Sequence, residues 1–128
     1  MLRRNLLLGV AGVAVLGVTG CATHPVSVQQ ATELPAAQLR TCIKRAAHRR
    51  GWRVVTDEPG KMRIKYVKGP HVLVADVTYD NEGYMIEAVK EGSTLFNKDG
   101  TAHRKVNSWT ANLTVTIREE ENKILLRQ

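Results

Sequence analysis

Lys61-Met62-Arg63-Ile64-Lys65-Tyr66-Val67-Lys68 leads through Gly69-Pro70 into His71-Val72-Leu73-Val74-Ala75-Asp76-Val77-Thr78-Tyr79. Met62, Ile64 and Tyr66 alternate with Lys61, Arg63 and Lys65, the two-residue period of a half-buried strand. Leu73, Ala75, Val77 and Tyr79 continue the same inward face after the Gly-Pro break. Downstream, Asp80-Asn81-Glu82-Gly83 reads as a turn, and Tyr84, Ile86 and Ala88 point inward on a further strand. Upstream, Trp52 and Val54 alternate with Arg53 and Val55 until Glu58-Pro59-Gly60 turns the chain. Connections this short have no room for a crossover, so the segments predict an antiparallel meander of three or four strands.

The sheet is flanked by two further segments. Leu39, Cys42, Ile43 and Ala46 recur at intervals of three and four, with Arg40, Lys44, Arg45, His48 and Arg49 around the other side. Pro35 suits the first turn of this helix, and Gly51 suits its end. The helix is expected over 35–50. The segment 103–121 carries two periods. Trp109, Ala111, Leu113, Val115 and Ile117 alternate as a strand would, whereas Val106, Trp109, Leu113 and Ile117 form a helix stripe. Periodicity alone does not separate them.

The stretch from Ile43 to Ile117 resembles a group of small bacterial lipoproteins. The shared features are Arg50-Gly51-Trp52 closing a helix, the turn at Pro59-Gly60, Tyr84 and Ile86 on a meander strand, and Asn107, Trp109, Asn112, Leu113 and Ile117 in a closing segment. Val106 and Thr110 depart from the pattern, standing where the group carries a tyrosine and a more apolar residue. The resemblance implies that the closing segment is a helix, and it carries no activity with it. The expected fold is therefore α+β: an antiparallel three- to four-stranded β-meander with an N-terminal helix, 35–50, and a C-terminal helix, about 103–119, packed on one face.

The N-terminus sets the location. Arg3 and Arg4 precede an uncharged run from Leu6 to Val18, followed by Val18-Thr19-Gly20-Cys21. A positive start, a short apolar run and small residues make a secretory signal, and the run is too short to span a bilayer. The last four residues resemble the bacterial lipobox, which implies cleavage between Gly20 and Cys21 and a diacylglycerol on the Cys21 sulfur. The plain alternative is an ordinary signal with a chance cysteine. Ala22 lacks the aspartate that retains many such proteins at the inner membrane, so the outer membrane, facing the periplasm, is the expected site. The organisation expected is a signal peptide at 1–20, a lipidated tether at 21–33, a domain at 34–121 and a tail at 122–128.

Charge adds a second constraint. The chain has 19 Lys and Arg against 12 Asp and Glu, and loss of Arg3 and Arg4 with the signal still leaves it basic. Arg40 to Lys68 holds ten basic residues opposed by Asp57 and Glu58 alone. Export removes nucleic acid as the expected counterpart and leaves anionic head groups, cell-wall polymer or an acidic protein face. Arg40, Lys44, Arg45 and Arg49 form the candidate basic patch, with a solvated face as the plain alternative. Arg63, Lys65, Val72, Val74, Met85 and Val89 fall on the outer sheet face and form a candidate interaction surface. That face is apolar at its centre, so either a partner or the tether or tail covers it. With the anchor using Cys21, Cys42 is expected as a buried free thiol, against a disulfide to another chain.

No catalytic set emerges. His24, His48, His71 and His103 share no ligand spacing, and no phosphate-cradling glycine loop or nucleophile motif is present. Asp76 and Glu87 can face each other across the outer sheet face, and are expected to be solvated or ion-paired, against acid–base work. Trp52 and Trp109 are read as core residues, against sugar-stacking platforms. The chain is expected to have no catalytic site, metal or cofactor, and to act through the bilayer at acylated Cys21 and an envelope protein partner. The alternative is an anionic small ligand or polymer on the basic helix and strands.

Overall fold

The computed structural model describes residues 27–127. The signal, the cleavage site at Gly20 and Cys21, and lipidation of Cys21 lie outside the described residues.

Among them the order is β1 (Ser27–Ala31), α1 (Ala36–Arg49), β2 (Arg53–Glu58), β3 (Lys61–Lys68), β4 (His71–Tyr79), β5 (Gly83–Val89) and α2 (Arg104–Leu125). The fold is α+β, with one antiparallel sheet in the order β1-β5-β4-β3-β2. The meander over 53–89 is as the alternation predicts. The sheet nevertheless has five strands, because Ser27–Ala31, expected as tether, pairs antiparallel with β5. Ala31 lies opposite Gly83, where the missing side chain lets the two backbones close. A Cβ on Gly83 would stand 2.3 Å from the Gln30 carbonyl oxygen, so only glycine fits there.

Both helices pack on one face of the sheet. Leu39, Ile43, Ala46 and Ala47 from α1 and Val106, Leu113 and Ile117 from α2 meet Met62, Ile64, Leu73, Ala75, Val77, Ile86 and Ala88 in one core. Trp52 is buried at the α1–β2 junction, with its ring centroid 5.4 Å from Tyr66. Trp109 is half-buried and meets Tyr66 edge-on at 4.7 Å. Gly51 adopts φ +85°, a left-handed stop that turns α1 into β2 without Cβ strain.

The closing segment is helical, and it runs to Leu125 instead of ending near 119, so the expected tail is largely helix. Its buried side includes Thr110, Thr114, Thr116, Glu120 and Glu121 beside the apolar stripe. The threonines are accommodated because each hydroxyl donates to the carbonyl one turn back: Thr110 to Val106 at 2.8 Å, Thr114 to Thr110 at 2.8 Å and Thr116 to Asn112 at 3.0 Å. The start of α2 is capped by His103, whose Nδ1 accepts from the Lys105 N–H at 3.0 Å. No described helix is long and apolar enough to cross a membrane.

Candidate functional site

The cross-strand register puts the candidate interaction residues on the sheet face away from the helices. Arg63 lies opposite Asp76, Lys65 opposite Val74, Val74 opposite Val89, and Thr78 opposite Met85. They are brought together, but they are not equally available. Arg63 grips Asp76 with two parallel bonds, Nε to Oδ1 at 2.7 Å and Nη2 to Oδ2 at 3.0 Å. That hydrogen-bonded fork holds the Asp76 carboxyl below the usual carboxylate range against the opposing effect of burial. Asp76 is therefore ion-paired with Arg63.

Val74 needs correcting as an open docking position, because it is only 7 % exposed. Among the described residues its cover is neither tether nor tail. The turn after β5 folds over it, with Gly92 so close that a Cβ there would lie 3.2 Å from Val74 Cγ2. Side chains of the same turn complete the β4 edge. Ser93 Oγ accepts from the Val74 N–H at 2.8 Å, and Thr94 Oγ1 accepts from the Val72 N–H at 2.9 Å. In sequence, Gly92-Ser93-Thr94 reads as loop, and nothing in it signals that hydroxyls replace a ladder. Val72, Met85 and Val89 remain half-buried on this face. Sequence reasoning missed its most open apolar residues, Val67 and the bulged Val55, each 52 % exposed.

The bulge between Val54 and Thr56 also governs the basic patch. It shifts the register so that Asp57 lies opposite Met62, on the helix side of the sheet. Arg40 and Lys44 reach that carboxylate, Arg40 Nε at 3.1 Å from Oδ1 and Lys44 Nζ at 3.2 Å from Oδ2. Arg49 bridges to α2, Nη1 to Glu120 at 2.9 Å and Nη2 to Glu119 at 2.9 Å. Burial works against the charged form of Glu120, yet hydrogen bonds from Lys123 and Arg49 hold its carboxyl below its ordinary value. Of the four patch residues, only Arg45 makes no salt bridge among the described residues. It lines an open groove of about 370 Å³ between the helices, with Lys44, His48, Arg49, Glu120 and Lys123.

Cys42 is buried and free among the described residues, and burial pushes its thiol up to about 11, which disfavours the reactive thiolate. No group of three or more His, Cys, Asp or Glu among the described residues is placed to hold a metal. No family model, curated protein or solved structure matches the chain.

Proposed function

We propose that the protein is a lipid-anchored, non-enzymatic module of the bacterial envelope that binds another envelope protein through the uncovered face of its sheet. The lipobox-like Val18-Thr19-Gly20-Cys21 supports the anchor, with the outer membrane and the periplasm as the place, and with membership in the group of small lipoproteins it resembles. The observation that carries the binding reading is the one-sided packing. Both helices cover one face, while the other leaves Val67 open beside half-buried Val72, Met85 and Val89. Lys65 stands exposed beside these valines, which fits a partner presenting apolar side chains next to a carboxylate.

A photocrosslinking residue at Val67 or Met85 is expected to give one discrete protein adduct in cells, and Val67→Glu is expected to abolish the Met85 adduct. Absence of an adduct from both positions would sink the reading. The helix groove supports a second reading, an anionic polymer or small ligand held around Arg45. It predicts salt-sensitive retention on that polymer, lost in Arg45→Glu, with no change in the adducts.

A further inference from the structure

Six basic side chains make the salt bridges of the described residues: Arg40, Lys44, Arg49, Lys61, Arg63 and Lys123. Another set is unpaired and gathered at one end of the sheet. The antiparallel register defines that end. Lys68 pairs with His71 at the β3–β4 turn, β2 enters at Arg53 opposite Lys65, and β5 leaves through Val89 into Lys90. The start of α2 lies there too, since the His103 ring is 6.3 Å and the Trp109 ring 6.4 Å from His71. Arg53, Lys68, Lys90 and Arg104 are exposed and Lys105 is partly so, and none of the five makes a salt bridge among the described residues. Glu87 and Glu91 lie on the outer face of this end, and Asp99 is engaged by Thr101 within its own loop.

The opposite end carries both signs, with Lys61 exposed at the β2–β3 turn and Lys123 and Arg127 exposed at the end of α2. Glu58, Asp80 and Glu82 stand exposed in its turns, Glu33 is exposed between β1 and α1, and Glu121 reaches Thr32 beside it. Carboxylates thus offset the cations at that end, whereas the cations of the first end are without ion-pair partners among the described residues.

The described chain begins at the basic end. β1 begins at Ser27, opposite Glu87 near the exit of β5, and runs toward the acidic turns. Cys21 precedes Ser27 by six residues, which span at most about 20 Å when fully extended. We infer that the rim formed by Arg53, Lys68, Lys90, Arg104 and Lys105 docks on the anionic phospholipid head groups of the leaflet that holds acylated Cys21. The end that carries Glu58, Asp80 and Glu82 then faces away from the bilayer, and the domain stands upright with its uncovered sheet face free at the side. Charge complementarity and the length and entry point of the linking chain both select this occupant. Each cation close to an anionic surface contributes roughly a fivefold preference.

This inference rests on the anchoring reading, so the test separates the two. The full chain, purified from membranes in detergent, is reconstituted into vesicles of phosphatidylcholine alone or with added phosphatidylglycerol. A fluorophore is placed through Pro70→Cys at the rim or Glu82→Cys at the far end. Flotation with phosphatidylcholine vesicles, together with the intact mass, reports the anchor. In phosphatidylglycerol vesicles the label at 70 is expected to be shielded several-fold from an aqueous quencher, while the label at 82 stays accessible. Lys68→Gln with Lys105→Gln should remove the shielding and leave flotation unchanged. Equal accessibility at 70 and 82 in anionic vesicles overturns the docking, whatever the anchor does. If the chain fails to float with phosphatidylcholine, the anchor reading fails. The rim is then judged on phosphatidylglycerol vesicles alone, where salt-sensitive flotation supports it and none overturns it.

Discussion

Trp52→Ala is expected to cost about 3–5 kcal/mol of folding stability, as large aromatic truncations in packed cores do. Trp52 is only 5 % exposed, and its indole fills the corner where α1 ends and β2 begins. Its backbone N–H also donates to the Ala47 carbonyl at 2.8 Å, so the backbone there is already fixed and closes poorly around a cavity. Trp109→Ala should cost less, about 1–2 kcal/mol, because that ring is half-buried and loses mainly its edge contact with Tyr66. Equilibrium denaturation of both variants checks the order. A Trp52→Ala protein as stable as its parent would mean that this residue does not hold the helix to the sheet.

The second large effect belongs to a glycine. Gly83→Ala is expected to destabilise by about 1–3 kcal/mol, the usual range for overpacking. It should also strip hydrogen-exchange protection from residues 28–31. The new methyl would meet the Gln30 carbonyl oxygen at 2.3 Å and the Ala31 Cα at 3.1 Å, and these backbone atoms yield only if β1 moves away from β5. Gly69→Ala is the control. Its Cβ would meet nothing within 4 Å, and its φ of +60° costs about 1 kcal/mol through backbone strain alone. Protection of β1 should survive that change. If Gly83→Ala leaves both stability and β1 protection intact, residues 27–31 are a tether and not a strand.

That strand shows where the sequence stops being readable. β3, β4, β5 and α1 were legible because one face of each is buried, and burial writes a period into the residues. β1 has Val28 as its only large apolar residue, packed against the core between glutamines and small residues. It joins the sheet through its backbone and through the clearance at Gly83, and neither leaves a hydrophobic period. The available signal was a glycine opening a strand, which marks a close backbone approach. α2 was ambiguous for a related reason. Thr110, Thr114 and Thr116 favour strands by propensity, but in the fold their hydroxyls turn back onto the helix and allow burial.

The candidate site was legible as a face but not as a surface. Alternation placed Arg63, Lys65, Val72, Val74, Met85 and Val89 together, because the pleat has a strict period of two. Alternation carries no information about cover, so the turn over Val74 could not be foreseen. Charge counting likewise placed Arg40, Lys44, Arg45 and Arg49 on one helix, while their pairing depends on a bulge and on α2, both far away in sequence. The strongly basic composition thus overstated the free charge on α1 and concealed the unpaired rim at the β3–β4 turn.

We propose that this domain is held at a membrane through Cys21, with the sheet beginning six residues later at Ser27. Intact-mass analysis of the chain purified from cell membranes tests it most directly. The account predicts a mature protein that begins at Cys21 and carries diacylglycerol on the cysteine sulfur. A chain that retains residues 1–20, or one that begins at another residue with an unmodified Cys21 thiol, would contradict it.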